Sequence, residues 1–251
     1  MKCVKVIVAA INLDRFERPP NQMKYPHHPQ WKIDLKEQLK IWEVQRRAMM
    51  IDGGMEFDTL VVCNGWGAFL QWADYDGMKT ANGVLKVVWR KNSGGSFGGY
   101  NWAFRNTDYD GFLFTEDDII VAGNNYYKRL YDTMHSESRV GYVCLIGASR
   151  NESTRHCHGG VGFTTRKRLK LNVDKRGNLP FPHALGWNQR EAIRKGEIPF
   201  TNGIREQGYK LVCVPEITRQ WDFINYCKPY WCLDKADYTY LGYTRKELYE
   251  V

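Results

Sequence analysis

Three consecutive acids, Glu116, Asp117 and Asp118, interrupt an otherwise apolar run, Gly111-Phe-Leu-Phe-Thr-Glu-Asp-Asp-Ile-Ile-Val121. The run reads as a buried strand, and open α/β sheets bind their ligands in the crevice outside the carboxyl ends of their strands. Carboxylates this close repel one another unless a cation or a basic side chain neutralises them. Hard oxygen donors at this density suit Mg²⁺ or Mn²⁺, and such an ion in turn binds phosphate. A solvated acidic turn would have the same composition, so the rest of the chain must decide between the two.

Other residues with chemistry to offer are spread along the chain. Ser93-Gly-Gly-Ser-Phe-Gly-Gly-Tyr-Asn-Trp-Ala-Phe-Arg105 is glycine-rich and then helix-compatible. Glycines there would let backbone amides approach a ligand at a helix amino terminus, although the spacing is neither that of a Walker loop nor GxGxxG. Arg90, Lys91 and Asn92 follow directly on an apolar run. His156 and His158 are spaced to share a face, either as metal ligands or as a surface pair. His27 and His28 lie in a proline-laden stretch, residues 16 to 33, that reads as a flap over a ligand.

Composition narrows the classes. At 251 residues and 43% hydrophobic content the chain can bury a core without staples. A net charge of +8 favours an anionic partner. The basic residues are scattered, however, and their densest patch, Arg166-Lys-Arg-Leu-Lys170, reads as a solvated helix start or phosphate-side surface before a nucleic-acid footprint. Seven cysteines without a CxxC pair, three of them in apolar runs, read as reduced core thiols of a cytoplasmic protein. No apolar run approaches the roughly 20 residues of a membrane span. Val6 to Ile11 is too short to be the core of a signal peptide and reads as the first strand. Peripheral membrane contact and homo-oligomerisation stay open.

The elements that must position these residues alternate. Val4 to Leu13 is a β-branched strand handing over to a loop at Asn12-Leu-Asp-Arg15. Asp34 to Glu37 is a capping box, and Leu35, Leu39, Trp42 and Met49 recur at helical spacing until Gly53-Gly54. Strands follow over Phe57 to Cys63, Val84 to Trp89 and Gly111 to Ile120, and Asn124 can cap a helix to about His135. Strand, helix, strand predicts a right-handed parallel crossover. Beyond Ser138 come a strand over Gly141 to Ala148, a small-residue strand turning into a basic helix start, and a loop over Asn172 to Trp187. Two helical segments, about Asn188 to Lys195 and Thr201 to Gln207, precede a strand over Tyr209 to Val214. From Arg219 the tail is crowded with aromatics and ends in a short helix near Arg245 to Tyr249.

In this order the parts resemble a glycosyltransferase of the GT-A fold, nearest the inverting family-2 type. The resemblance rests on Val4 to Leu13, Val61-Val-Cys-Asn-Gly65, Asn92 to Asn101, Glu116-Asp-Asp118, Gly159-Gly-Val-Gly-Phe-Thr-Thr-Arg-Lys-Arg168, Gly196-Glu197 and Gly208-Tyr-Lys-Leu-Val-Cys-Val-Pro215. It runs from about residue 4 to 215. It implies an α/β fold with a mixed, mostly parallel, Rossmann-like central sheet flanked by helices. Residues 1–218 would form the transferase domain, with 1–121 binding the nucleotide sugar and 122–218 the acceptor, and 219–251 packing on it as an aromatic tail.

The activity implied is transfer of a hexosyl or deoxyhexosyl group from a nucleoside-diphosphate sugar to a hydroxyl, on a glycan or another acceptor, assisted by Mn²⁺ or Mg²⁺ and with inversion. Asp118 would touch the metal, joined by Glu116 and His158, with Glu116 or Asp117 near the ribose. Asn12, Asp14, Asn64, Arg90, Asn92 and Asn101 are candidates for holding the donor. Glu197 is the first choice for general base, with Glu191 and Asp222 as alternatives. Two departures stand out: Cys63 occupies the place of an acid that helps hold the base in relatives, and Ile198 that of an Asp after Glu197. The same acids would serve a metal-dependent nucleotidyltransferase or phosphohydrolase, or an inactive sugar-nucleotide-binding protein. The former usually opens with a glycine-rich, Arg-containing loop after its first strand, unlike Asn12-Leu-Asp-Arg15.

Overall fold

The structure, a computed structural model, describes residues 1–9, 42–43, 45–64, 70–91, 93–117, 119–121, 125–145, 156–157, 160–182, 192–213 and 223–225. Strands β1 (Cys3–Ala9), β2 (Asp58–Asn64), β3 (Leu85–Arg90), β4 (Gly111–Glu116), β6 (Val140–Cys144), β7 (Gly162–Thr165) and β8 (Lys210–Cys213) form one seven-stranded sheet in the order β3-β2-β1-β4-β7-β6-β8. All run parallel except β7, which is antiparallel to β4 and β6. This is the mixed, mostly parallel arrangement that the resemblance implies.

The inner strands are apolar because both faces are covered. Val4, Val6 and Val8 of β1 pack with Leu60, Val62, Phe112 and Phe114 under helix α2 (Gly95–Asn106) and helix α5 (Ile198–Glu206), which contributes Phe200 and Ile204. Cys3, Leu113, Val143 and Phe163 face the other way, against Tyr126, Tyr127 and Leu130 of helix α3 (Tyr126–His135). The remaining short helices are α1 (Leu70–Ala73) and α4 (Arg166–Leu169).

Several boundaries differ from the sequence-based expectation, for local reasons. The run from Gly111 to Val121 is two strands: β4 ends at Glu116, and β5 (Ile119–Val121) leaves the main sheet to pair antiparallel with β9 (Phe223–Asn225). The two helical segments expected after residue 188 are continuous where described, because a π-helical turn over Ala192–Glu197 runs directly into α5. Extra residues in a π turn accommodate Gly196 and Pro199, which at sequence level look like a break. Helix α3 begins after Asn125, held at a φ of 60°, without a side-chain cap. The expected carboxyl-terminal helix lies outside the described residues.

The basic patch after β7 lies at the amino edge of β4, since Thr165 pairs with Gly111. Arg166 donates from Nε to the Tyr109 carbonyl at 2.6 Å, and from its two Nη atoms to those of Phe104 (2.7 Å) and Thr107 (2.8 Å). It therefore closes the carboxyl end of α2, while Arg168 stacks over Tyr209 at 3.8 Å. Both are structural, at the edge opposite the acids. Among the described residues no helix is long and apolar enough to cross a membrane, and Cys3, Cys63, Cys144 and Cys157 are buried free thiols.

Lys5 is the exception in β1, 1% exposed with Nζ 5.2 Å from the Tyr126 ring centre. Desolvation pulls its pKa down from 10.5 to about 7. Between those values the unfolded chain holds a proton that the folded one releases, so Lys5 costs nothing above pH 10.5 and increasingly destabilises as pH falls towards 7. Urea unfolding should show stability rising from pH 7 towards 10 by up to about 1.4 kcal/mol per pH unit. Lys5→Met should flatten that slope and raise stability at pH 7.

Candidate functional site

The chain builds outward from β1 to β2 and β3 on one side, then crosses to β4 on the other. A sheet that reverses direction in this way leaves a crevice at the carboxyl edge beside its first strand. Four strand ends meet there in register: Ala9 lies beside Cys63, Asn64 beside Arg90, and Val8 beside Glu116.

On the β2–β3 side, Arg90 donates to Asn64 Oδ1 at 2.5 Å and to the Ser93 carbonyl at 2.9 Å. Asn64 Nδ2 donates to the Gly95 carbonyl at 2.9 Å. The two side chains thereby moor residues 93–95 to the strand ends. Burial lowers the pKa of Arg90, with no carboxylate offsetting it. No salt bridge joins Arg90 to a carboxylate among the described residues. A guanidinium stays protonated throughout the physiological range, so this is a partly desolvated positive charge without a counter-ion among the described residues.

Helix α2 starts beside it. Gly94 and Gly95 take positive φ of 77° and 55°, and no side chain caps the first turn. Its other glycines are explained by packing. A Cβ on Gly98 would lie 1.9 Å from the Ser93 carbonyl oxygen, and one on Gly99 2.6 Å from Val8 Cγ2. The cluster read as a ligand cradle is thus at least as much a device for laying the helix flat on β1. Asn101 is 8% exposed and holds a neighbouring segment: its Oδ1 accepts from Leu179 N at 2.8 Å and its Nδ2 donates to Asn178 at 3.3 Å.

On the β4 side, Glu116 is the half-buried last residue of the strand. Asp117 continues the ladder by donating its N–H to the Val8 carbonyl at 3.1 Å, and its side chain is buried at 3% exposure. Burial first, and then the nearby Asp117 carboxylate, push the Cys63 thiol well above its ordinary pKa. A neutral thiol at that position spares Asp117 a second negative charge. Gln45, which is fully buried, reaches the same turn: its Nε2 donates to the Asp117 carbonyl at 2.9 Å and to the Ile119 carbonyl at 3.0 Å.

Glu197 closes the π turn at the same edge, 7% exposed, and His156 Nε2 lies 3.0 Å from its Oε1. Two contacts bring these residues together. Cys157 N donates to Thr201 Oγ1 of α5 at 3.3 Å, and Gly196 abuts Phe97 in the first turn of α2, where a Cβ would come within 2.7 Å of the ring. Because helical structure precedes it, Glu197 is not a free helix-start acid serving the dipole.

Of the expected site residues, Asn64, Arg90, Glu116, Asp117 and Glu197 therefore share one edge of the sheet. Asn12, Asp14, Asn92, Asp118, His158, Glu191 and Asp222 lie outside the described residues. Among the described residues no three metal-binding side chains cluster. The donors at the β4 end are carboxylates, a hard set whose chemistry fits Mg²⁺ or Mn²⁺ over softer ions. Sequence reading missed Gln45 and the partnership of His156 with Glu197. Each left a trace: Gln45 is a polar residue on the helical face of Trp42 and Met49, and His156 belongs to the His-x-His pair.

No family model matches the chain, and no curated protein matches it. Among solved structures it is similar to TarS of S. aureus, at 15% identity and a TM-score of 0.45, covering 85% of this chain and 35% of that one. It is also similar to the mannosyltransferase PcManGT from Pyrobaculum calidifontis in complex with GDP-Man and Mn²⁺, at 17% identity and a TM-score of 0.45, covering 85% and 55%. A cytidylyltransferase from Leptospira borgpetersenii matches at 12% identity and a TM-score of 0.49, covering 100% and 93%. The chain spans roughly a third of TarS and about half of the mannosyltransferase.

The packing at Gly98 has a measurable consequence. Gly98→Ala drives a methyl into the Ser93 carbonyl beside Arg90, and should lower the unfolding free energy in urea by about 1–3 kcal/mol.

Proposed function

We propose that this chain moves a sugar from a nucleoside-diphosphate donor to an acceptor hydroxyl, on a glycan or a related molecule, with inversion at the anomeric carbon. The observation that carries the reading is the pairing of unlike demands along one sheet edge. Arg90, a half-buried cation without a counter-ion among the described residues, stands at the end of β3, and the acids Glu116 and Asp117 stand at the end of β4. A diphosphate suits the first, and a divalent ion suits the second.

Arg90 and the uncapped first turn of α2 bind and orient the anionic part of the donor. Asp118 and Glu116 would hold Mg²⁺ or Mn²⁺, which when bound offsets charge on the departing diphosphate. Asp117, buried and bonded through its backbone to β1, fixes the turn. Glu197 accepts the proton of the attacking hydroxyl on the opposite face of the sugar, and His156 at 3.0 Å orients its carboxylate. Glu191 and Asp222 are the alternative acceptors of that proton. Asn64 acts indirectly, by holding Arg90.

The reading is tested by a thermal-shift panel of nucleoside-diphosphate sugars with and without Mn²⁺. A donor at 100 times its dissociation constant stabilises by about 2.7 kcal/mol. Arg90→Met should weaken every stabilising donor, and Asp118→Asn should abolish the Mn²⁺-dependent part. Glu197→Gln should spare donor binding and slow turnover by about 10²- to 10⁴-fold. Release of a nucleoside diphosphate with sugar appearing on the acceptor marks a transferase, whereas release of pyrophosphate marks a nucleotidyltransferase. If no donor shifts the unfolding temperature under any condition, the proposal falls.

A further inference from the structure

Gln45 stands 72 residues before Asp117 in the sequence, yet its amide is in direct contact with the acid turn. Its surroundings determine which way that amide points. Both neighbours, the carbonyls of Asp117 and Ile119 at 2.9 and 3.0 Å, can only accept, so the NH₂ end must face them. Both amide hydrogens are therefore committed to the two carbonyls that bracket residue 118. The opposite end, Oε1, is buried and has no hydrogen-bond partner among the described residues. An unsatisfied interior acceptor destabilises a protein, and an aliphatic side chain at this place on the helical face of Trp42 and Met49 would avoid it.

What Gln45 provides instead is a fixed turn. Between β4, which ends at Glu116, and β5, which starts at Ile119, the chain passes from the seven-stranded sheet to the two-stranded one, so the regular ladder of β4 does not continue into β5. Asp117 N–H is tied to β1, and the carbonyls on either side of residue 118 converge on a single nitrogen carried by a helix, where Met49 N donates to the Gln45 carbonyl at 3.0 Å. We propose that Gln45 is the positioning residue of the acid turn, setting the arrangement in which its carboxylates take a divalent cation. The inference rests on the reading of that turn as a cation site.

The test is titration of the 251-residue chain with Mn²⁺ alone, followed by electron paramagnetic resonance of the free ion. Urea unfolding of each variant runs in parallel. Gln45→Met keeps the volume and removes both donors, and should weaken Mn²⁺ binding by about 10- to 100-fold while the protein stays folded. Gln45→Glu turns a carboxylate towards two carbonyl oxygens and should weaken it at least as much. Leu130→Ala, on the buried face of α3, serves as a control that loses stability and keeps Mn²⁺ affinity.

Wild-type affinity in Gln45→Met, with Asp118→Asn having lost it, would overturn the role of Gln45 and leave the cation site standing. If the wild-type chain binds no Mn²⁺, or Asp118→Asn binds it unchanged, the site reading falls and takes this inference with it. A loss in the Gln45 variants that Leu130→Ala reproduces at equal instability would reduce Gln45 to an ordinary core residue.

Discussion

The constraint on which the site depends is the distance between opposite charges along the carboxyl edge. Arg90 ends β3 and Glu116 ends β4, with β2 and β1 between them. Three strand spacings of about 4.8 Å separate the two backbones by roughly 14 Å. Among the described residues no side-chain ion pair spans that gap, so the guanidinium does not neutralise the carboxylates directly. The strand order enforces this, because a sheet that grows first to one side of β1 and then to the other sets the ends of β3 and β4 on opposite sides of its crevice. The donor proposed above, anionic along its length and accompanied by a divalent ion, would span both strand ends, which a simple salt bridge does not.

The supporting structure serves that separation. Helix α2 lies close on β1 because Gly99 gives it the approach that a methyl group would block, while Gly98 leaves room for the Ser93 carbonyl that leads into the helix. At its far end Arg166 gathers three carbonyls, of Phe104, Thr107 and Tyr109, and so closes the helix at the opposite edge of the sheet. The densest basic patch therefore contributes to the helix that frames the site without touching the site itself. The charge that the proposed function assigns to the anion is Arg90, not the most basic stretch of sequence.

How much of this was legible depended on range. Strands β1, β2 and β4 were readable because both of their faces are covered, which makes them continuous apolar runs. The break at Asp117 was not, since Ile119 to Val121 continue the apolar pattern and only the pairing partner changes, from β1 to β9. Glycines 94, 95, 98 and 99 were visible but ambiguous, because a close approach to a ligand and a close approach to the protein's own backbone require the same residue. Arg90 and the acids were readable as types at strand ends, but the lack of a counter-ion for Arg90 among the described residues is visible only in three dimensions. Gln45 and the acid turn, or His156 and Glu197, are separated by too much chain for any local pattern to join them. What the sequence offers in such cases is only an anomaly, a polar residue where the periodicity calls for an apolar one.

The π turn shows why such anomalies gather at this edge. Residues 192–197 would form a plain α-helical turn if regularity alone decided, yet the turn is widened where Gly196 meets Phe97 and Glu197 meets His156. A π turn sacrifices regular hydrogen bonding for a change in the direction of its side chains. Here that change puts a carboxylate beside an imidazole at 3.0 Å, both largely buried, whereas a purely structural helix would gain by keeping the carboxylate in water. A similar cost is visible at Gln45, whose acceptor has no partner among the described residues while its donors bond the Asp117 and Ile119 carbonyls. Two independent elements thus accept a local cost at the edge where the strand ends gather, and such costs are expected where a fold must hold groups for a ligand rather than for itself.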